Sequence, residues 1–93
     1  MLIALDFDDT YTRDPVTWDR FIILMQTAGH RIICVTMRSK AEGAQVHEAL
    51  DPFDVPIFFT NRAAKKPFMN ELSVNVDVWI DDNPFWILNN ARS

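Results

Sequence analysis

Three places in the chain set acidic or hydroxyl side chains directly after an apolar run. Asp6 and Asp8 follow Leu2-Ile3-Ala4-Leu5, with Asp9 and Thr10 next to them. Thr36 closes the run Ile32-Ile33-Cys34-Val35, and Asp81-Asp82 follow Val78-Trp79-Ile80. One Asp after one strand is an ordinary turn residue. Two acidic groups gathered at one edge of a sheet would repel strongly unless a cation lay among them. All-oxygen ligands suit a hard ion. Mg2+ typically takes one or two carboxylates and leaves positions for water and a phosphate oxygen. The two histidines, His30 and His47, are not spaced as a pair for a transition metal.

The acids meet only if the elements before them form one sheet. Residues 2–7 are short and apolar and predict a buried strand. Trp18, Phe21, Ile22, Met25 and Ala28 recur at helical spacing, so a helix is expected over 16–28, stopped by Gly29. Residues 31–36 are β-branched and predict strand 2. Ser39 and Glu42 have capping-box spacing for a helix over 40–50, which Gly43 weakens and Asp51-Pro52 ends. Strand 3 is expected over 56–60. A short segment over 66–72 follows, with Pro67 in its first turn. Strand 4 is expected over 76–80, and a last helix over 85–90 behind Asn83-Pro84. This alternation predicts an α/β fold: a three-layer α/β/α sandwich around a small parallel sheet with right-handed crossovers. Ligands of such sheets bind outside the strand C-termini, the edge that Asp6, Asp8, Thr36, Asp81 and Asp82 would share.

Size and composition set limits. At 93 residues the chain is read as a single domain, 1–93, and 48% hydrophobic residues suffice for a core. A formal charge of −4 argues against non-specific binding to nucleic acid or an anionic membrane. The apolar runs are too short to span a bilayer, and the start lacks the basic region of a signal peptide, so a cytoplasmic location is expected. Cys34, the single cysteine, lies in an apolar run and reads as a buried structural thiol.

Taken in order, these residues resemble the motifs of the haloacid dehalogenase (HAD) superfamily. Its DxDx[TV] motif is similar to Asp6-Phe7-Asp8-Asp9-Thr10, and its Thr or Ser after an apolar strand to Thr36. Its lysine corresponds to Lys65 or Lys66, and its closing acidic pair to Asp81-Asp82. The Thr36-Met37-Arg38 and Lys66-Pro67 patterns look like a short branch found in phages and bacteria, and that match favours Lys66.

The resemblance implies a Mg2+-dependent phosphatase with a HAD-like, Rossmannoid fold. Asp6 would be the nucleophile that forms an aspartyl-phosphate. Asp8 would be general acid and then base, with its backbone carbonyl on the metal. Thr36 and Lys66 would hold and neutralise the phosphoryl group. Asp6, Asp8, Asp81 and Asp82 would hold Mg2+. Thr10, Met37 and Arg38 are expected beside the substrate; Arg38 reads equally as a phosphate fork or a surface ion pair. Tyr11 could stack on a substrate ring. Trp18, Phe21, Phe58, Phe59, Trp79, Phe85 and Trp86 read as core or sheet-flank residues.

The gaps over 10–17 and 60–66 are too short for the cap domain that many of these enzymes carry. The site is therefore expected to be open to a phosphorylated small molecule, nucleic-acid end or protein. An exposed edge strand makes a homodimer plausible. A rival reading keeps the fold as a catalytically silent binding or assembly module.

Overall fold

The computed structural model describes residues 1–91. Its elements run β1 (Leu2–Leu5), α1 (Pro15–Thr27), β2 (Arg31–Thr36), α2 (Ala44–Leu50), β3 (Ile57–Phe59), α3 (Lys65–Glu71), β4 (Val78–Ile80) and α4 (Phe85–Leu88). Short 3-10 turns cover Tyr11–Arg13, Lys40–Glu42 and Asp51–Phe53. The four strands are parallel in the order β3-β2-β1-β4. β1 and β2 are central and buried, whereas the edge strands β3 and β4 are half-buried.

Side chains alternate between the two faces of the sheet, as the strand period of two requires. Ile3, Leu5, Ile32 and Cys34 pack on Ile22 of α1 and on Val46 and Leu50 of α2. Leu2, Ala4, Ile33 and Val35 face the other way, onto Met69 of α3. Both faces are thus covered by helix, and the molecule is an α/β fold on a small parallel sheet. Cys34 is fully enclosed, and burial pushes its thiol up to about 12, so it packs as a small hydrophobe. No helix among the described residues is long and apolar enough to cross a membrane.

Local chemistry explains the element ends. Asp14 caps α1 by accepting from the Thr17 amide at 3.3 Å, and Pro15 fills the first turn, so the helix begins just before the expected Val16. Gly29 ends it with φ +90°, a conformation open to glycine, and the His30 amide returns to the Met25 carbonyl at 2.9 Å. β4 starts later than the expected Val76 because the Asp77 side chain takes the Leu2 amide at 2.7 Å. At the far end α4 stops before the expected Asn90, where the Asn89 side chain donates to the Phe85 carbonyl at 2.9 Å.

The expected helix over 40–50 is two pieces. Lys40–Glu42 is a 3-10 turn and α2 starts at Ala44. The break falls at Gly43, where a Cβ would lie 2.6 Å from Cζ of the Phe59 ring and 3.0 Å from the Lys40 carbonyl oxygen. Gly43 is needed for close approach of that ring. Gly43→Ala is therefore expected to destabilise the protein by about 1–3 kcal/mol. Urea unfolding would measure it, and Phe59→Leu in the same background should recover part of the loss if the ring is the obstacle.

Candidate functional site

Parallel strands deliver their C-terminal ends to one edge, and the loops there are tied to one another. The Asp6 amide donates to the Ile80 carbonyl at 2.9 Å, extending the β1–β4 ladder into the acidic region. The amides of Thr60 and Arg62 donate to the carbonyls of Thr36 and Met37 at 2.8 and 2.9 Å. After Asp6 the chain curls back, with the Tyr11 amide reaching the Asp6 carbonyl at 3.4 Å and the Thr12 amide the Phe7 carbonyl at 3.1 Å. This curl sends Phe7 into the core and leaves Asp6 and Asp8 lining a cleft of about 470 Å³.

Lys65 lies at the floor of the cleft. Its ammonium donates to Asp6 Oδ1 at 2.8 Å and to Asp81 Oδ2 at 2.6 Å, with the lysine side chain only 4% exposed. Asp6 Oδ2 accepts from the Thr10 hydroxyl at 2.9 Å, and the Thr10 oxygen in turn accepts from the Asp82 amide at 3.1 Å. Asp81 Oδ1 accepts from the Asn83 amide at 3.0 Å. Each carboxylate oxygen has two lone pairs, so these bonds leave capacity unused.

One ammonium faces three carboxyl groups. Oxygens of Asp6, Asp81 and Asp82 all lie within 4.8 Å of one another. Burial pushes the Asp6 carboxyl up to about 7, even though Lys65 pulls it down. Burial works to lower the Lys65 pKa, but Asp6 and Asp81 outweigh it and the net direction is up. The floor thus carries more negative charge than its own lysine balances. A hard divalent cation fits both that deficit and the all-oxygen donor set.

Lys65, rather than the favoured Lys66, is the lysine at the acids. Lys66 is exposed. The reason is helical: Lys65 opens α3 on its buried face, one turn before Met69, while Lys66 is one turn from the exposed Asn70. That periodicity is present in the sequence and outweighs the Lys-Pro pattern.

Asp8 stands apart from the metal cluster by its side chain, which is half exposed and not among the three clustered carboxylates; the metal role expected of it falls to its backbone carbonyl. Both of its oxygens accept from the Arg38 guanidinium, at 2.9 and 2.7 Å. Arg38 also donates to the Glu42 carbonyl at 3.0 Å and lies 5.1 Å over the Phe7 ring. Thr36 is fully buried, and its hydroxyl accepts from the Arg38 amide at 3.3 Å. It supports the cleft without lining it, and Thr10 acts likewise beneath Asp6 and Asp82, whereas Met37 and Arg38 line the wall. Tyr11 is no stacking platform: it is buried, stacked on Phe7, with its hydroxyl donating to Asp19 at 2.6 Å.

Asp9, Glu42, Arg62, Asn83 and Trp86 also line the cleft. Arg62 forks onto both Glu42 oxygens at 3.0 Å and donates to the Met37 carbonyl at 2.6 Å. Asn61 and Arg62 both have positive φ, 52° and 71°, a loop conformation without a plain sequence signature. Trp86 is half-buried and lines the cleft and Phe85 is exposed, where the sequence reading expected core or sheet-flank residues. α4 is a single short turn and buries neither ring completely.

Comparison with protein-family models, with curated proteins and with solved structures gives no match to this chain.

Two outcomes follow from this geometry. In metal-free buffer, Lys65→Ala should lower stability by about 3–5 kcal/mol by leaving Asp6 and Asp81 buried without their cation. Lys66→Ala should change it little; equal effects in urea unfolding would contradict the assignment. At the rim, the Arg62 fork and then the Ser39 amide hold Glu42 well below its ordinary 4.5, down to about 2. Because the folded value is depressed, the clamp's contribution is complete above pH 4.5 and is lost as pH falls through about 2. The Glu42 side-chain carboxyl carbon resonance should titrate near 2, and Arg62→Ala should return the midpoint towards 4.5.

Proposed function

We propose that the protein is a Mg2+-dependent phosphomonoesterase of the HAD type, with an uncapped cleft and an aspartyl-phosphate intermediate. The observation that carries this reading is the floor itself: Asp6, Asp81 and Asp82 within 4.8 Å of one another, with Lys65 bonded to the first two. The order of elements, with helices on both faces of the sheet, suits the expected three-layer Rossmannoid sandwich. The motif resemblance supplies the reaction class.

Asp6, Asp81 and Asp82 would hold Mg2+, joined by the Asp8 backbone carbonyl that the resemblance implies. When bound, the ion would offset the acidic floor and neutralise phosphate oxygens. Asp6 attacks phosphorus as the ester oxygen departs, and Asp8 supplies the proton that the departing oxygen takes. Water then attacks the same phosphorus, gives a proton to Asp8, and releases Asp6 and inorganic phosphate. Lys65 holds the Asp6 side chain through Oδ1 and contributes positive charge beside the developing phosphorane. Thr10 holds the other oxygen and orients the carboxyl from beneath.

The Arg38–Asp8 fork favours a second reading. With both oxygens engaged by a guanidinium, Asp8 holds no position for a proton to give until Arg38 lets go. A silent binding module would retain this fork permanently; an enzyme would release it as the substrate phosphate engages Arg38.

Phosphate release from an aryl phosphate separates the two. Turnover should require Mg2+, stop in EDTA, and fall at least a thousandfold in Asp6→Asn, on the order expected when a covalent nucleophile is removed. Asp8→Asn and Lys65→Ala should also lose most activity, while Lys66→Ala should keep it. Mg2+ binding by folded protein without phosphate release would select the binding module.

A further inference from the structure

Resting on the phosphatase reading, we infer that the cleft is built for the monophosphate of a nucleoside, with the base on Trp86 and its edge on Asn83. Trp86 and Asn83 line the same cleft as Asp81 and Asp82, from the loop and turn that follow them. The Trp86 amide donates to the Asn83 carbonyl at 3.2 Å, which closes a turn that ties the two residues together. An indole face on a cleft wall is a stacking surface for any flat base. A carboxamide beside it offers a donor and an acceptor to a ring edge that carries both. Among the described residues, no hydrogen bond is made by the Asn83 side chain, although its backbone amide is engaged by Asp81.

The platform is held in place. Phe85 and Trp86 form a T-shaped pair with ring centroids 4.9 Å apart at 79°. The stretch after α4 is tied to the loop before α3: the Ala91 amide donates to the Arg62 carbonyl at 2.8 Å, and Asn90 Oδ1 accepts from the Ala64 amide at 2.8 Å. The cleft, about 470 Å³, lies in the range that encloses a small organic ligand. It is far larger than one phosphate group fills.

Charge chooses among phosphorylated ligands. Asp8, Asp9 and Glu42 face the cleft alongside Arg38 and Arg62, and Asp8 and Glu42 already occupy those two guanidiniums. A polyanionic strand needs a basic track along its backbone, and this rim does not supply one. A single phosphate at the floor is matched by Lys65 and the cation. A phosphotyrosine ring could lie on an indole, but its phenyl edge has nothing for the Asn83 amide to bond. The wall therefore fits a free nucleoside monophosphate better than a nucleic-acid end or a phosphopeptide.

The test uses the wild-type protein with Mg2+ and a ligand that cannot turn over. Calorimetry would compare 5′-deoxyadenosine 5′-phosphonate, whose P–C bond resists hydrolysis, with the base-free ribose 5-phosphonate. The nucleoside should bind roughly tenfold or more tightly, the scale of one base–aromatic stack. The Trp86 indole N–H resonance should move on titration with the nucleoside and hold still with the sugar. Trp86→Ala should erase the preference, and Trp86→Phe should keep most of it. Equal affinities, a silent Trp86 resonance, or failure of both phosphonates to bind would overturn the inference. Tighter binding of a short oligonucleotide with the same terminal group, or of a phosphotyrosine peptide, would overturn it too. Because no step in this assay requires turnover, inactivity on aryl phosphate would sink the phosphatase reading and leave the base preference to be judged on its own.

Discussion

The structure depends on one buried cation held between two acids. Lys65 lies between Asp6, which follows β1, and Asp81, which follows β4. Carboxylates removed from water repel each other at short range far more strongly than in solvent. The sheet order β3-β2-β1-β4 brings Asp6 and Asp81 together whether or not their charges are compensated. The ammonium makes that order tolerable, and α3 makes the ammonium possible by starting at Lys65 with Met69 buried below it. Under the proposed reading, incomplete compensation would have a use: a floor still short of positive charge would take a divalent ion and, through it, a phosphate.

The rest of the edge is arranged in two tiers. The lower tier is largely buried and made of bonds to main-chain donors and hydroxyls: Thr10 beneath Asp6 and the exposed Asp82, and Thr36 beneath Arg38. Few of these groups can move without leaving a buried polar atom unpaired. The upper tier is half exposed and made of Arg–carboxylate forks, Arg38 with Asp8 and Arg62 with Glu42. Exposed forks are worth little to stability and are screened by salt. They can exchange partners at small cost, as the proposed reading would require of Arg38 and Asp8.

Much of this is legible in the sequence, for reasons particular to each residue. The apolar runs at 2–5 and 31–36 are central parallel strands buried on both faces, so they stand out as continuous hydrophobic stretches. Asp6, Asp81 and Asp82 are found because a strand's end is a position, and topology turns position into proximity. Lys65 is misplaced by motif matching and recovered by helical period, since its neighbours one turn on are Phe68 and Met69. Trp86 and Phe85 escape composition-based reading because aromatic residues are core by default and α4 is too short to bury them. Arg62 escapes altogether. It reaches the cleft only because Asn61 and Arg62 both adopt positive φ and the chain beyond α4 bonds back onto the loop, and neither condition leaves a pattern in the residue types.

Under the proposed reading, a site without a cap would obtain its selectivity from its own walls. Among the described residues, the connections from β1 to α1 and from β3 to α3 hold only short turns. Each wall is instead a loop braced by another loop. The β2 loop is pinned by Arg62, the β3 loop by Ala91 and Asn90, and the β4 loop by Thr10 and Lys65. Bracing of this kind pre-orders the groups that meet a ligand, which lessens the ordering penalty of binding. It also divides the labour by depth. Under the proposed reading, charge at the floor would treat every phosphate alike, and discrimination would fall to Trp86 and Asn83, which also line the cleft. On that reading the residues after β4, which contribute little to the core, would have the most influence over which phosphate is accepted.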